Sequence, residues 1–201
     1  MKKKIKVIFS DLFGVLIGPD YSDLINYIIK TTNQPSDEIY KNIFDEESMR
    51  LLRGEVSYNQ YFSSLQYKIN HAEKLNYAKC KYFWDHMKIG PMPVIKNLLD
   101  MKNNYKIYIL TNTTREHINK LKSNFFFIDD FDGIITSDLS KSSKPNNMFF
   151  NYACSTLNVD PHESVFIDDS KINIIAAENL GMTTHLYQNY ADFNKFISRF
   201  L

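Results

Sequence analysis

The chain has 201 residues, of which 44% are hydrophobic, and its 24 basic and 23 acidic residues nearly cancel. A chain of this length can bury a full core and fits one domain with a modest insertion. The balanced charge argues against a surface built for nucleic acid or an anionic membrane, which would need an excess of basic residues.

The N-terminus and the cysteines indicate where the protein works. The basic start superficially resembles a secretion signal, but Lys6 and Asp11 interrupt the apolar run and no small-residue cleavage site follows. No run approaches the roughly 18 apolar residues that a membrane span needs. Cys80 and Cys154 lack metal-ligand spacing, so we expect buried, reduced thiols and a cytoplasmic protein without a signal peptide. A role outside the producing cell stays open.

The first predicted strand, residues 5–10, ends at a carboxylate in Lys6-Val-Ile-Phe-Ser-Asp11-Leu-Phe13-Gly14-Val-Leu16. Its apolar, β-branched residues are typical of a buried strand, and the glycine three residues after Asp11 allows a sharp turn. Asp11 would then lie at the mouth of a sheet. There it is either a satisfied structural residue or a nucleophile and metal ligand, and the local pattern fits both.

Nearly a hundred residues separate this strand from the next core strand, far more than one crossover helix needs. We predict an inserted helical cap with helices at 21–32, 36–52, 57–70 and 72–88. Its hinges should lie near Gly18-Pro19 and Gly90-Pro91. The predicted domains are therefore an α/β core of residues 1–18 and 89–201 and a cap of residues 19–88.

The rest of the chain alternates between strand and helix patterns. Further strands are predicted at 105–110, 133–136, 164–168 and 183–187. Helices are predicted at 91–103, 114–124, 146–158, 171–180 and 190–200, with Gly181 ending the fourth of them. This alternation predicts an α/β fold in which a Rossmann-like parallel sheet carries helices on both faces.

Polar residues stand where the predicted strands end. Thr111 and Asn112 follow the strand at 105–110, and Asp168 ends the strand at 164–168. Lys144 precedes a proline at the start of a predicted helix, whose first turn tolerates proline. Because ligands bind outside the carboxyl ends of strands in open α/β sheets, Asp11, Thr111, Lys144 and Asp168 should converge on one crevice.

These four motifs, in this order, resemble the phosphatase branch of the haloacid dehalogenase (HAD) superfamily of aspartate-nucleophile hydrolases, from residue 5 to about 187. The resemblance also covers a helical cap inserted after the first motif. It implies that Asp11 attacks phosphorus and forms an aspartyl-phosphate that water later hydrolyses. It further implies Mg²⁺, which neutralises the phosphate oxygens, held by the carboxylates of Asp11 and Asp168, by Asp169 and by the backbone carbonyl of Phe13.

The remaining site residues take their roles from the same resemblance. Thr111 would donate its hydroxyl to a phosphate oxygen, and Lys144 would be a fixed cation that keeps the two aspartates from repelling each other. Asn112 would contact the substrate or cap a helix. Asp169 and Asn173 would support the metal, often through water, although Asp169 could instead be a helix N-cap.

Phe13 departs from the commonest phosphatase pattern, in which a second aspartate protonates the leaving group and then activates water. A phenyl ring does neither, and positioned proton transfer typically contributes about 10²–10⁴-fold in rate. The loss matters most for a basic leaving group, and a phenol, with a pKa near about 10, leaves more readily than an alkoxide. We therefore expect phosphotyrosine and other aryl phosphates, or anomeric sugar phosphates, to be preferred. Phe13 would also contact an aromatic substrate.

Three functions of different classes stay open. A Mg²⁺-dependent phosphomonoesterase, acting on a phosphotyrosine protein or a small phosphometabolite, agrees with all four motifs. A metal-independent 2-haloacid dehalogenase agrees with Asp-x-Phe-Gly, although Asp168-Asp169 has the metal-binding form. A catalytically weak binding module is favoured by Phe13.

Other polar and aromatic residues carry a weaker signal. Several cap residues could face a substrate, namely Arg50, Arg53, Tyr58, Trp84 and His86. Three histidines share no spacing and are interpreted as structural, namely His117, His162 and His185.

Overall fold

The structure is a computed structural model that describes residues 4–86 and 88–201. In this part of the chain the strands are β1 (Val7–Ser10), β2 (Ile17–Asp20), β3 (Lys88–Pro91), β4 (Lys106–Thr111), β5 (Gly133–Thr136), β6 (Ser164–Asp168) and β7 (Thr183–Leu186). The α-helices are α1 (Ser22–Thr32), α2 (Ser36–Ile43), α3 (Glu46–Leu52), α4 (Tyr58–Lys68), α5 (Tyr77–Asp85), α6 (Val94–Asp100), α7 (Arg115–Lys122), α8 (Ser137–Ser140), α9 (Asn147–Leu157), α10 (Lys171–Asn179) and α11 (Tyr190–Ile197). Short 3₁₀ helices cover Ala72–Lys74, Met101–Asn103, Phe126–Asp130, Pro161–Glu163 and Ser198–Phe200.

The central sheet is parallel and has the strand order β5-β4-β1-β6-β7. β1 lies in the middle, where Val7 is opposite Lys106 of β4 on one side and Ser164 of β6 on the other. Every residue of β1 and β6 is buried, as expected for strands covered on both faces. The predicted Rossmann-like α/β fold is confirmed.

Two hydrophobic clusters cover the two faces of the sheet. One contains Leu98, Ile118 and Phe193, and the other contains Phe149 and Phe150. All five side chains are at most 3% exposed, and burying a side chain of this size contributes roughly 1.5–3 kcal/mol to folding. These helices therefore hold the strand ends in fixed positions.

The helices α1 to α5, between β2 and β3, bury a third cluster of their own. It includes Leu24, Ile28, Ile39, Tyr61 and Trp84. On this basis we propose the division into a core of residues 1–18 and 89–201 and a cap of residues 19–88. Residues 1–3 and 87 of these ranges lie outside the described residues.

The predicted cap helices at 36–52 and 72–88 are each interrupted. The side chain of Asp45 accepts hydrogen bonds from the N–H groups of Glu47 and Ser48, so a new helix, α3, begins there. In the second range a 3₁₀ turn precedes α5, which begins after Asn76 accepts a hydrogen bond from the N–H of Lys79. The hydrophobic periodicity predicts continuous helices in both ranges, but Asp45 and Asn76 each cap the start of a new helix.

The predicted hinges form a two-stranded antiparallel ribbon of β2 and β3, with Gly18 opposite Gly90. A second difference concerns α9, whose N-cap is Asn146, so that Pro145 precedes the helix instead of lying in its first turn.

Cys80 and Cys154 are buried free thiols, as expected. Within the described ranges, each helix is too short or too polar to cross a bilayer.

Candidate active site

The predicted site residues meet at the carboxyl edge of the sheet. Asp11 directly follows β1, Thr111 ends β4 and Asp168 ends β6, and β1 pairs with both of the other strands. A cavity of about 330 Å³ opens at this edge. Its wall includes most of the predicted site residues, namely Asp11, Phe13, Thr111, Asn112, Lys144, Asp169 and Asn173.

Lys144 links two carboxylates. Its Nζ lies 2.8 Å from Oδ1 of Asp11 and 2.7 Å from Oδ2 of Asp168. The side chains of Lys144 and Asp168 are both 0% exposed, and buried charges persist only when they are paired. Burial alone would lower the pKa of Lys144, but Asp11 and Asp168 outweigh it and raise that pKa, so the ammonium stays charged.

One oxygen of Asp11 is fixed and the other is available. Oδ1 accepts hydrogen bonds from the backbone N–H of Leu12, at 2.7 Å, and from Lys144. In the described part of the chain, Oδ2 has no protein donor. Burial raises the pKa of Asp11 to about 8, against the lowering effect of Lys144, and the charge of Asp168 adds to the increase.

Three carboxylates form a candidate metal site. Oxygens of Asp11, Asp168 and Asp169 lie within 4.8 Å of one another. Oδ1 of Asp168 is oriented by the N–H of Ser170, at 2.8 Å, and by Nδ2 of Asn173, at 2.9 Å. Burial, followed by the charge of Asp168, raises the pKa of Asp169. Hard carboxylate oxygens with an excess of negative charge fit Mg²⁺, and a divalent cation would relieve their repulsion.

Gly14 makes this arrangement possible. Its φ of +87° is a conformation that L side chains rarely adopt, and a Cβ there would lie 2.2 Å from Oδ2 of Asp169. The alternative role of Asp169 as a helix N-cap is not found, because Ser170 is the N-cap of α10. Asp169 is therefore left beside the other two carboxylates.

The hydroxyl of Thr111 lacks a partner among the described residues, although its side chain is fully buried. A buried polar group without a hydrogen bond costs about 1–3 kcal/mol. The alternative role of capping the next helix belongs to Thr114, which accepts a hydrogen bond from the N–H of His117. An oxygen of a bound phosphate would satisfy Thr111.

Asn112 lines the cavity and also has a role that the sequence does not predict. Its Oδ1 accepts a hydrogen bond from the N–H of Lys144, at 2.8 Å, and its Nδ2 donates one to the carbonyl oxygen of Lys144, at 2.9 Å. The sequence predicts a substrate contact or a helix cap, and the structure adds that this side chain holds the backbone of Lys144. The pairing depends on a loop 32 residues away, so no local pattern could reveal it.

His117, interpreted from sequence as structural, lies on the cavity wall. Its ring centroid is 5.8 Å from that of Phe13, and its Nδ1 is 3.1 Å from the hydroxyl of Thr113. Burial lowers the pKa of His117 to about 4, so the imidazole is neutral at pH 7. The sequence could have predicted this position. His117 lies in the first turn of the helix that follows Thr111, and the start of that helix is at the same edge of the sheet as the other site residues.

The cap contributes one wall of the same cavity, made of Tyr21, Phe44, Ser48, Met49, Leu52 and Trp84. Of the cap residues that the sequence suggests, Trp84 is on this wall. Arg50 is paired with Glu47 at 2.8 Å, and Arg53 is paired with Glu46 and with Glu55 at 2.6 Å each.

The chain is similar to known hydrolases. The model of the haloacid dehalogenase-like hydrolase family matches residues 5–181. A sesquiterpene phosphatase of Aspergillus oryzae is 31% identical over 86 residues, which are 42% of this chain and 44% of that protein. A phosphoglycolate phosphatase of Psychrobacter arcticus is 24% identical over 188 residues, which are 89% of this chain and 81% of that protein.

A solved structure extends the likeness to the whole fold. It is a HAD family enzyme of Bacteroides thetaiotaomicron in complex with magnesium and inorganic phosphate. The TM-score between the two structures is 0.76 and their sequences are 24% identical. The match covers 96% of this chain and 98% of that one.

Proposed function

Since the chain belongs to the haloacid dehalogenase-like hydrolase family, we propose that it is a Mg²⁺-dependent phosphomonoesterase with Asp11 as its nucleophile. The observation that carries this proposal is the buried bridge from Asp11 through Lys144 to Asp168, placed in one cavity with the unpartnered hydroxyl of Thr111. This arrangement offers a nucleophile, a fixed cation and a donor for a phosphate oxygen.

The proposed reaction has two steps. Oδ2 of Asp11 attacks phosphorus, the ester P–O bond breaks, and its electron pair goes to the leaving oxygen. Thr111 donates its hydroxyl to a phosphoryl oxygen. Lys144 orients Asp11 and lowers its pKa against the effect of burial, which favours the ionised nucleophile. Water then attacks the aspartyl-phosphate, which releases inorganic phosphate and regenerates the carboxylate.

The metal would be held by the carboxylates of Asp11, Asp168 and Asp169 and by the backbone carbonyl of Phe13. When bound, Mg²⁺ would neutralise charge on the phosphoryl oxygens. Asn173 would act through Asp168, whose Oδ1 it orients at 2.9 Å. Magnesium in the solved structure of a relative supports this choice of metal.

We further propose that the missing acid at Phe13 selects the substrate. Leaving groups that depart without a proton, such as the phenol of phosphotyrosine or an anomeric sugar oxygen, would react fastest. Both a phosphotyrosine protein and a small phosphometabolite meet this requirement. The phosphatase relatives named for phosphoglycolate and for sesquiterpenes support the small-molecule option. The buried free thiols support a reducing compartment such as the cytoplasm.

Dehalogenation of 2-haloacids is the second candidate, because Asp11-x-Phe13-Gly14 fits it and halide needs no proton on leaving. The carboxylate cluster of Asp11, Asp168 and Asp169 favours the metal-dependent phosphatase. A binding module without chemistry is the third candidate, and the intact bridge at Lys144 argues against it.

One assay separates the three functions. The purified protein is incubated with p-nitrophenyl phosphate, phosphotyrosine, glucose 1-phosphate, phosphoserine and 2-chloropropionate, with Mg²⁺ and with a chelator. We expect release of inorganic phosphate that requires Mg²⁺. Metal-independent release of chloride would instead assign the dehalogenase, and no turnover of any compound would assign the binding module.

A further inference from the structure

The cap wall of the cavity is apolar. Apart from Ser48, it consists of Tyr21, Phe44, Met49, Leu52 and Trp84, and Phe13 faces the cavity from the core. Among the described residues on this wall, none carries a charge. Three of its six residues are aromatic, and such rings favour stacked or edge-to-face contacts with another ring.

Two described residues of the cap wall carry a hydroxyl, Tyr21 and Ser48. Ser48 donates to the backbone carbonyl of Asp45, at 2.6 Å, and the hydroxyl of Thr113 is paired with His117. A sugar brings several hydroxyl groups, and each one buried without a partner costs about 1–3 kcal/mol. The cavity therefore favours a group with few polar atoms over a polyol.

A second negative charge on the substrate would also lack a partner. Arg50 and Arg53 directly follow wall residues in the sequence, and both form ion pairs with glutamates. Lys144, the cation at the base of the cavity, is held between Asp11 and Asp168. A carboxylate on the leaving group would be moved from water to an apolar wall, which is unfavourable.

We propose that the cavity under the cap holds an uncharged aromatic ring as the leaving group, so that the substrates are small aryl phosphate monoesters. This inference rests on the proposed phosphatase function and narrows it, because it removes sugar phosphates and carboxylate-bearing phosphates from the candidates. The volume of about 330 Å³ is at the lower end of the range for small-molecule sites, which suits one compact ring system.

Competition experiments test the cavity separately from leaving-group chemistry. Benzyl phosphate, 3-methylbutyl phosphate and glucose 6-phosphate are all esters of primary alcohols, and each is measured as an inhibitor of p-nitrophenyl phosphate hydrolysis by the intact protein with Mg²⁺. We expect benzyl phosphate to bind at least about tenfold more tightly than glucose 6-phosphate, with the aliphatic ester between them. Equal or tighter binding of glucose 6-phosphate overturns the inference, and tighter binding of the aliphatic ester overturns its aromatic part.

Variants of the cap wall test the location. Phe44→Asn and Met49→Gln should each weaken benzyl phosphate binding by about three- to tenfold, because a polar group replaces an apolar contact. Inorganic phosphate, which occupies no leaving-group space, should inhibit both variants as it inhibits the wild type. Tyr67→Asn is the matched control, since Tyr67 is a cap aromatic that is 94% exposed and lies outside the cavity.

The outcomes distinguish the two proposals. If the wild type hydrolyses p-nitrophenyl phosphate but the wall variants bind benzyl phosphate unchanged, the inference about the cavity is wrong and the phosphatase function stands. If the wild type hydrolyses no phosphate monoester, the proposed function is wrong. Melting temperatures of all variants show whether a loss of binding comes from unfolding of the cap.

Discussion

Asn112 and Lys144 hold each other by two hydrogen bonds, one from the N–H of Lys144 to Oδ1 at 2.8 Å and one from Nδ2 to the carbonyl oxygen at 2.9 Å. This pair ties the end of β4 to the loop before α9. It places Lys144 so that its Nζ reaches both Asp11 and Asp168. The amide at 112 therefore acts on the site through the backbone of another residue.

Replacing Asn112 should reduce activity without a direct loss of substrate binding. In Asn112→Ala both hydrogen bonds are lost, and we expect kcat to fall by about tenfold and the free energy of unfolding by about 1–3 kcal/mol. Steady-state kinetics and urea unfolding measure these changes. Asn119→Ala, on the exposed face of α7, is the control. An unchanged kcat in Asn112→Ala would contradict the positioning role.

Gly14 is predicted to control metal affinity. A methyl group at this position would lie 2.2 Å from Oδ2 of Asp169, in a backbone conformation with a φ of +87°. Gly14→Ala should therefore raise the Mg²⁺ concentration needed for half-maximal activity by at least about tenfold, because a carboxylate ligand is displaced. Gly18→Ala is the matched control, since a Cβ there meets no atom within 4 Å. Equal metal requirements in the two variants would show that Asp169 does not support the metal.

Phe13 is predicted to set the preference between aryl and alkyl esters. The wild type should hydrolyse p-nitrophenyl phosphate much faster than phosphoserine. Phe13→Asp restores a carboxylate and should narrow the gap by raising the alkyl rate, because positioned proton transfer contributes about 10²–10⁴-fold. The ratio of the two kcat/KM values is measured, after melting temperatures show that both proteins are folded. A wild-type ratio near one would mean that another group supplies the proton.

The ion pairs of Asp85 predict how stability depends on pH. Burial alone would raise the pKa of Asp85, but hydrogen bonds from Lys81, at 2.7 Å, and Lys120, at 3.0 Å, outweigh it, so the pKa lies below its ordinary value. A carboxyl with a lowered pKa in the folded state stabilises above the unfolded value of 3.8. That stability is lost as the pH falls through the folded value.

The variant Asp85→Asn isolates this contribution. It should lower the free energy of unfolding by about 1 kcal/mol at pH 7, and the difference from the wild type should vanish well below pH 3.8. Urea unfolding across this pH range measures the difference. A difference that persists at the acidic end would mean that packing, and not charge, explains the loss.

The sequence predicts the fold and most of the site because the signals are local. Apolar runs ending at Asp11, Thr111 and Asp168 identify both the strands and the functional edge of the sheet, since parallel strands place their carboxyl ends together. Chain order alone is enough to infer that these residues meet.

What could not be predicted depends on contacts between distant segments. The partner of Asn112 lies 32 residues away. The pairing of β2 with β3 joins residues about 70 apart, and each strand contains a glycine and a proline, which rarely favour strands. The cap wall is built from α3, α5 and the ends of α1 and α2, so its apolar character follows only from packing. The interruption of the predicted helix at Asp45 could have been predicted, since an aspartate followed by two glutamates is a helix-start signal.

The most direct test of the whole account compares Asp11→Asn with the wild type. The amide is a poor nucleophile and a poor metal ligand, while its shape is nearly unchanged, so the fold should persist. The measurement is the initial rate of inorganic phosphate release from p-nitrophenyl phosphate with saturating Mg²⁺, on proteins with matching melting temperatures. We predict that the variant loses nearly all activity; a folded variant that keeps more than about a tenth of the wild-type rate would contradict the assignment of Asp11 as nucleophile.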